Sequence, residues 1–262
     1  MRRNAILMTV SALAMLSAPA LADDLDFAGA LTGLYSHVGS DAPDANIWSV
    51  NGAAKIGLGD TGLNAELDLG HNHASISNVN ANSWNVGGAL FYKAEEGRVG
   101  ANINYTEAKV LGLKAHVTNY GGFGEYFASD MFTLGAKLGG FGGSLNGFGL
   151  HANGIYVGAG VTGYVFPNFG LTASLSFTNV NSLFQETDLG LQGEYLISEE
   201  IPVSAFAGYT YSDISNGGGN ANTVFVGLRL YTNTVGGTTL VERQRNGTVS
   251  NIAGFAPVGF NL

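Results

Sequence analysis

Most of the chain is written in one pattern, in which segments of about ten residues alternate apolar with small polar side chains. Between positions 169 and 178, Phe169, Leu171, Ala173, Leu175 and Phe177 are interleaved with Gly170, Thr172, Ser174, Ser176 and Thr178. A period of two sends successive side chains to opposite faces of a strand, one face apolar and the other polar. Repeated around a closed sheet with the apolar face outward, this describes a transmembrane β-barrel. Helix is disfavoured throughout: the chain holds 40 glycines, each costing a helix about 1 kcal/mol relative to alanine.

Twelve strands are expected, at 25–38, 47–58, 63–71, 84–93, 98–107, 116–126, 131–138, 149–165, 168–179, 186–196, 203–212 and 223–231. Their connections alternate in length. Short ones cover 59–62, 94–97, 128–130, 166–167 and 197–201, and longer ones cover 39–46, 72–83, 108–115, 139–148, 180–185 and 213–222. Short turns on one side and long loops on the other are the habit of outer-membrane barrels, the short side being periplasmic. An even strand number then puts both termini in the periplasm. The expected fold is all-β, a transmembrane antiparallel up-and-down barrel over residues 23–231. The stretch 138–185 has no Asp, Glu, Lys or Arg, but Gly, Asn, Ser, Thr and Pro167 interrupt it. It is no spanning helix, which needs about 20 mainly apolar residues.

The first residues carry a different signal. Arg2 and Arg3 precede an apolar run from Ala5 to Leu16 and the small-residue site Ala20, Leu21, Ala22. That order is a secretory signal peptide over residues 1–22, cut before Asp23. Its removal leaves nine basic against 20 acidic residues, a net charge of −11. Such a charge speaks against nucleic acid as a partner, since phosphate binding needs a basic surface. With no cysteine there is no disulfide framework, thiolate metal site or cysteine nucleophile.

Alternation assigns the faces. The outward set includes Trp48, Val50, Ile56, Leu63, Leu67, Val86, Leu90, Val99, Ile103, Val224, Val226 and Leu228. Aromatic pairs on that face, Phe27 with Tyr35, Trp84 with Tyr92 and Phe169 with Phe177, are each eight residues apart. In a tilted strand that spacing spans roughly 20 Å, close to the apolar band of such barrels. A soluble β-sandwich core has no reason to keep it.

The inward set is small and polar, with Asn102, Asn104 and Gln192 and eight charged residues expected to line the lumen: Lys55, Glu66, Asp68, Lys137, Glu186, Asp188, Glu194 and Arg229. Lys55 and Glu66 should face each other across the turn at 59–62, as a wall pair of about 0.2–1 kcal/mol. Five carboxylates against three cations favour cations in any channel.

Chemistry beyond passage finds little support. Continuing the strand registers turns His37, His71, His73 and His151 outward, away from any shared metal site. Gly158, Gly160 and Gly163 match a dinucleotide fingerprint by letters, but they lie within a strand and open no helix. Asp41, Asp44 and Asp213 could approach one another at the rim without a nucleophile and its base. The expectation is therefore no enzyme, no metal and no cofactor.

The signal peptide, strand rhythm, Gly/Asn-rich loops and final amphipathic strand at 223–231 resemble a Gram-negative outer-membrane β-barrel of the porin-like superfamily. The resemblance implies residence in the cell outer membrane, among lipid and lipopolysaccharide, after insertion by the barrel-assembly machinery. It implies a narrow channel for passive diffusion of ions or small hydrophilic solutes. A structural or adhesive barrel acting through its loops, and an outer-membrane hydrolase, are the alternatives. One departure stands out: such chains usually finish at the last strand, whereas 31 residues follow Tyr231 here. Residues 232–262 are expected as a mobile periplasmic tail. They could instead form a hairpin around Asn246 and Gly247, making fourteen strands, or a plug.

Overall fold

The structure, a computed structural model, describes residues 26–40, 43–77, 79–146, 150–181, 183–198, 202–216, 219–232 and 237–249. The segment read as a signal peptide, Asp41 and residues 250–262 lie outside these. Twelve strands run in order: β1 (Phe27–Ser40), β2 (Ala45–Gly57), β3 (Leu63–Ile76), β4 (Val79–Lys93), β5 (Gly97–Val110), β6 (Leu113–Ser129), β7 (Phe132–Leu145), β8 (Leu150–Phe166), β9 (Phe169–Val180), β10 (Phe184–Leu196), β11 (Val203–Ile214) and β12 (Gly219–Tyr231). Each pairs antiparallel with its chain neighbours, and β1 pairs with β12 from Ala30↔Tyr231 to Ser40↔Ala221. The sheet closes and has no free edge. Closure is what lets strands stand in hydrocarbon, where an unpaired backbone N–H or C=O finds no water. The fold is the expected up-and-down barrel of twelve strands.

Asp26 and Thr232 emerge at the same end of the barrel, the terminal rim; the opposite end is the far rim. At the terminal rim the strands begin and end within three residues of the sequence expectation. At the far rim they run on, β3 and β4 by five residues and β7 by seven. The connections there shrink to two to four residues, against two to six at the terminal rim. The long loops expected from sequence are therefore mostly strand. Beyond the apolar band the outward residues become His, Asn, Ser and Tyr, so the hydropathy alternation stops while the backbone ladder continues. Leu111 and Gly112, both with positive φ (52° and 84°), close one such two-residue hairpin.

The strands are 12 to 17 residues long. A fourteen-residue strand at about 3.3 Å per residue, tilted by about 40°, rises about 35 Å, so it stands clear of an apolar band of about 25 Å. That band is built by the predicted outward set: Leu90 is 64% exposed, Val99 60% and Leu67 51%. A contiguous apolar surface of this size is a liability in water and matches hydrocarbon. Aromatic rings border it toward the far rim, with Tyr35 4.7 Å from Trp48 and Trp84 5.5 Å from Tyr105 between centroids. Above them His37 and Tyr35 hydrogen-bond Asn46 (3.0 and 2.7 Å), and His73 hydrogen-bonds Asn82 (2.9 Å).

Leu67 lies opposite Gly88, midway between the interfacial Trp84 and Tyr92. Leu67→Arg should therefore destabilise the barrel by about 2–4 kcal/mol in urea unfolding from phospholipid vesicles.

Candidate functional site

The closed register sorts side chains into lumen and lipid faces. All eight charged residues singled out from the sequence lie on the inner face, in two tiers. Lys55, Glu66, Glu194 and Arg229 stand near the terminal rim, whereas Asp68, Lys137, Glu186 and Asp188 stand deeper.

In the terminal tier one row carries Ser204, Arg229, Thr32 and Asn51 on successive strands, and Glu194, paired with Phe206, lies diagonal to Ser204 on β10. Along it Arg229 Nη1 donates to Glu194 at 2.6 Å, Arg229 Nε to Thr32 at 3.2 Å, and Ser204 Oγ to Glu194 at 2.5 Å. The Tyr231 hydroxyl completes the cluster, donating to Glu194 at 2.8 Å. Lys55 does lie opposite Glu66 in the register, yet its ammonium turns to Asp26, 3.0 Å from both carboxylate oxygens. Arg98 and Glu125, not singled out beforehand, face inward on paired positions of β5 and β6 and form a buried ion pair. The alternation that put Val99 outside already implied Arg98 inside.

The chain then turns back across this tier. Helix α1 (Leu240–Asn246) occupies the sequence that could have formed the first arm of a hairpin, so the barrel has no thirteenth strand there. Its start is a capping box: Glu242 N donates to Thr239 Oγ1 (3.3 Å), and Thr239 N returns to the Glu242 carboxylate (3.0 Å). The hydrogen bond from Thr239 N, followed by those from the Thr239 hydroxyl and Thr238 N, holds the Glu242 carboxyl below its usual range. The sequence signal, Thr239 three residues before Glu242 with Arg243 and Arg245 in the last turn, was present and unread.

Every part of this segment is tied to the barrel. Val241 N donates to Pro167 O at 3.2 Å, and Gln244 Nε2 to Glu194 at 3.1 Å. Arg98 reaches the carbonyls of Gly247 (2.9 Å) and Gln244 (3.2 Å), and Lys93 reaches Asn246 (2.6 Å). Arg245 donates to Ser129 O (2.5 Å) and Phe132 O (3.1 Å), with its guanidinium over Phe127 and Tyr164. Glu66 accepts Val249 N at 2.6 Å. Leu240 packs with Leu196 and Tyr231, and Val249 with Phe91 and Phe123. Leu240 and Thr248 are at most 1% exposed, so the described part of the tail, 237–249, is seated against the barrel wall.

Beyond this tier the lumen holds a cavity of about 440 Å³, a size that accommodates a small molecule. Asn51, Asn85, Asn102, Asn104 and Asn119 line one wall from β2 to β6, while Thr172, Ser174, Ser176, Thr210 and Thr223 line the other from β9 to β12. Glycines make room for the larger groups: a Cβ on Gly70 would strike the amides of Asn51 and Asn85, and one on Gly139 the Tyr156 hydroxyl. Lys137 and Asp188 share one row, separated by Gly158 and Ser176. Asp188 accepts the Ser176 and Ser212 hydroxyls at 2.9 and 2.6 Å, and Lys137 lies 5.5 Å from the Tyr156 ring centre. The glycines at 158, 160 and 163 sit inside β8.

All five histidines, His116 included, take outward register positions. Among the described residues no group of three His, Asp or Glu could hold a metal ion.

The helix start is open to direct test. Thr239→Ala should weaken α1 by about 1 kcal/mol, raising hydrogen exchange at Gln244 and Arg245 roughly five-fold. Because its folded carboxyl is the more acidic, Glu242 stabilises α1 above its unfolded pKa. That contribution disappears as pH falls through the folded value. Acid should therefore lower the protection factors of the same amides once the slower intrinsic exchange is divided out, and Glu242→Gln should remove that pH step.

The sequence matches no family model and no curated protein. Solved structures do resemble the barrel. An outer membrane channel from Pseudomonas putida F1 aligns with a TM-score of 0.60 at 12% identity, over 78% of this chain and 94% of that one. The translocator domain of the autotransporter NalP from Neisseria meningitidis aligns at 0.56 and 12% identity, over 87% and 96%. A KdgM porin in complex with disordered oligogalacturonate aligns at 0.50 and 9% identity, over 76% and 98%. At these identities the likeness is one of fold, and the fold of this chain is that of an outer-membrane β-barrel.

Proposed function

We propose that the protein is a porin-like channel of the outer membrane. It passes ions and small hydrophilic solutes by passive diffusion, with a mild preference for cations. The observation that carries this reading is the lumen cavity, walled by carboxamides on one side and hydroxyls on the other inside a closed, lipid-matched barrel. Such walls exchange hydrogen bonds with water and polar solutes, with Leu34, Phe141, Phe206 and Phe225 adding apolar patches between them. The terminal tier largely neutralises itself through Lys55–Asp26, Arg98–Glu125 and Arg229–Glu194. The deeper tier sets Asp68, Glu186 and Asp188 against Lys137, and its excess of two negative charges favours cations.

In this reading residues 1–22 direct export, the barrel-assembly machinery inserts the chain, and the terminal rim faces the periplasm. The His/Asn/Tyr belt of the far rim then sits at the level of lipopolysaccharide head groups. The reading is non-enzymatic and uses no cofactor: with every histidine outside, the lumen offers no imidazole base to a serine or threonine nucleophile. Far-rim connections of two to four residues leave little surface for an adhesive loop, which favours the channel over the structural alternative.

The purified full-length chain should give discrete conductance steps in planar bilayers, with a reversal potential in a salt gradient showing mild cation preference. Asp188→Asn takes the deeper tier from two net negative charges to one, so the reversal potential should fall by roughly half. Lys137→Gln should raise it. A folded barrel that stays silent, with α1 seated or loosened by Arg245→Ser, overturns the reading.

A further inference from the structure

The segment at 237–249 takes up hydrogen-bonding capacity that a conducting lumen would leave to water. In a ring of twelve, β4 and β10 stand diametrically opposite, and the segment reaches both. Asn246 accepts from Lys93 on β4, and Gln244, two residues earlier, donates to Glu194 on β10. A chain that bridges opposite walls within three residues lies across the bore. Twelve strands about 4.8 Å apart and tilted by about 40° enclose roughly 24 Å between opposite backbones. Side chains from both walls narrow this to about the 10–12 Å width of one helix.

We infer that residues 237–249 are a built-in plug: they close the terminal mouth of the lumen, and the conducting state forms when they leave it. The inference rests on the channel reading and adds how that channel is regulated. The seat is specific, because Arg98 caps two carbonyls of the segment while holding Glu125, and because Leu240, Thr248 and Val249 are buried against the wall. It is also releasable. Most ties are hydrogen bonds that water can replace, and a space of about 740 Å³ between α1 and the rim, lined by Asn64, Lys93, Phe127 and Glu242, admits it. Arg243 Nε and Nη1 are buried with no hydrogen-bond partner among the described residues. That is a cost which the seated state bears and the released state does not.

The test uses the full chain throughout. Lys93→Cys with Asn246→Cys places two thiols at the seat in a protein with no other cysteine. A short bis-maleimide with a cleavable disulfide spacer then ties the plug in place. Conductance events should fall at least roughly ten-fold on bridging and return when the spacer is reduced. Arg245→Ser changes only the plug and removes its hold on the β6–β7 turn. Losing those charge-assisted bonds should raise event frequency roughly ten-fold. Events of unchanged frequency and size in the bridged protein overturn the plug and leave the channel standing. Silence in the bridged, reduced and Arg245→Ser proteins alike, with the barrel folded, overturns the channel and the plug with it.

Discussion

The hydrogen-bonded seam between β1 and β12 is the constraint on which the rest of the molecule depends. Without it two strands would present rows of bare amides and carbonyls to hydrocarbon, each unpaired group costing several kcal/mol. With it, every strand has two neighbours, one face in lipid and one in the lumen. The seam also fixes the geometry of the ends. Pairing Ala30 with Tyr231 returns the chain at residue 232 to the rim where Asp26 began. Whatever follows β12 therefore starts at the mouth of the lumen, within reach of the inner wall.

Lumen chemistry follows from the same register. A row of side chains around the wall passes Ser204, Arg229, Thr32, Asn51, Gly70 and Asn85, with Glu194 diagonal to Ser204. Small or short groups between the long ones let Arg229 reach Glu194 two strands away, and Gly70 leaves space for the amides on either side. Apolar residues could fill such an interior with equal or better stability, since buried ion pairs contribute little beyond an apolar replacement. The polar part of the lining is therefore better explained by contact with water, as the proposed channel requires, than by what holds the barrel together.

Much of this was legible in the sequence, and the limits have physical causes. All twelve strands, the outward apolar set and the inward position of Lys55, Glu66, Asp68, Lys137, Glu186, Asp188, Glu194 and Arg229 follow from one period-two pattern. That pattern is imposed by lipid on one side and water on the other. Where lipid ends, the pattern ends too, so β7 seemed to stop at residue 138 although its ladder runs to Leu145. Partners were less legible than faces. Lys55 stands opposite Glu66 but turns to Asp26, while Glu66 receives Val249 from a segment nearly two hundred residues away. Glycine- and threonine-rich surroundings made that segment read as loose, and the Thr239–Glu242 box was the signal against it.

Access to the lumen is then set mainly at one end. A four-residue connection anchored on adjacent strands reaches about 9 Å inward at full extension, short of a bore axis about 12 Å away. The far-rim connections, two to four residues long, are thus too short for their backbone to span the bore. Narrowing must come from wall side chains or from the terminal mouth, where a longer piece of chain is available. There Arg98, Glu194, Glu66 and Lys93 are spread around the wall and converge on residues 244–249. In the proposed channel, long strands and short far connections leave control of passage to the C-terminal segment rather than to the loops.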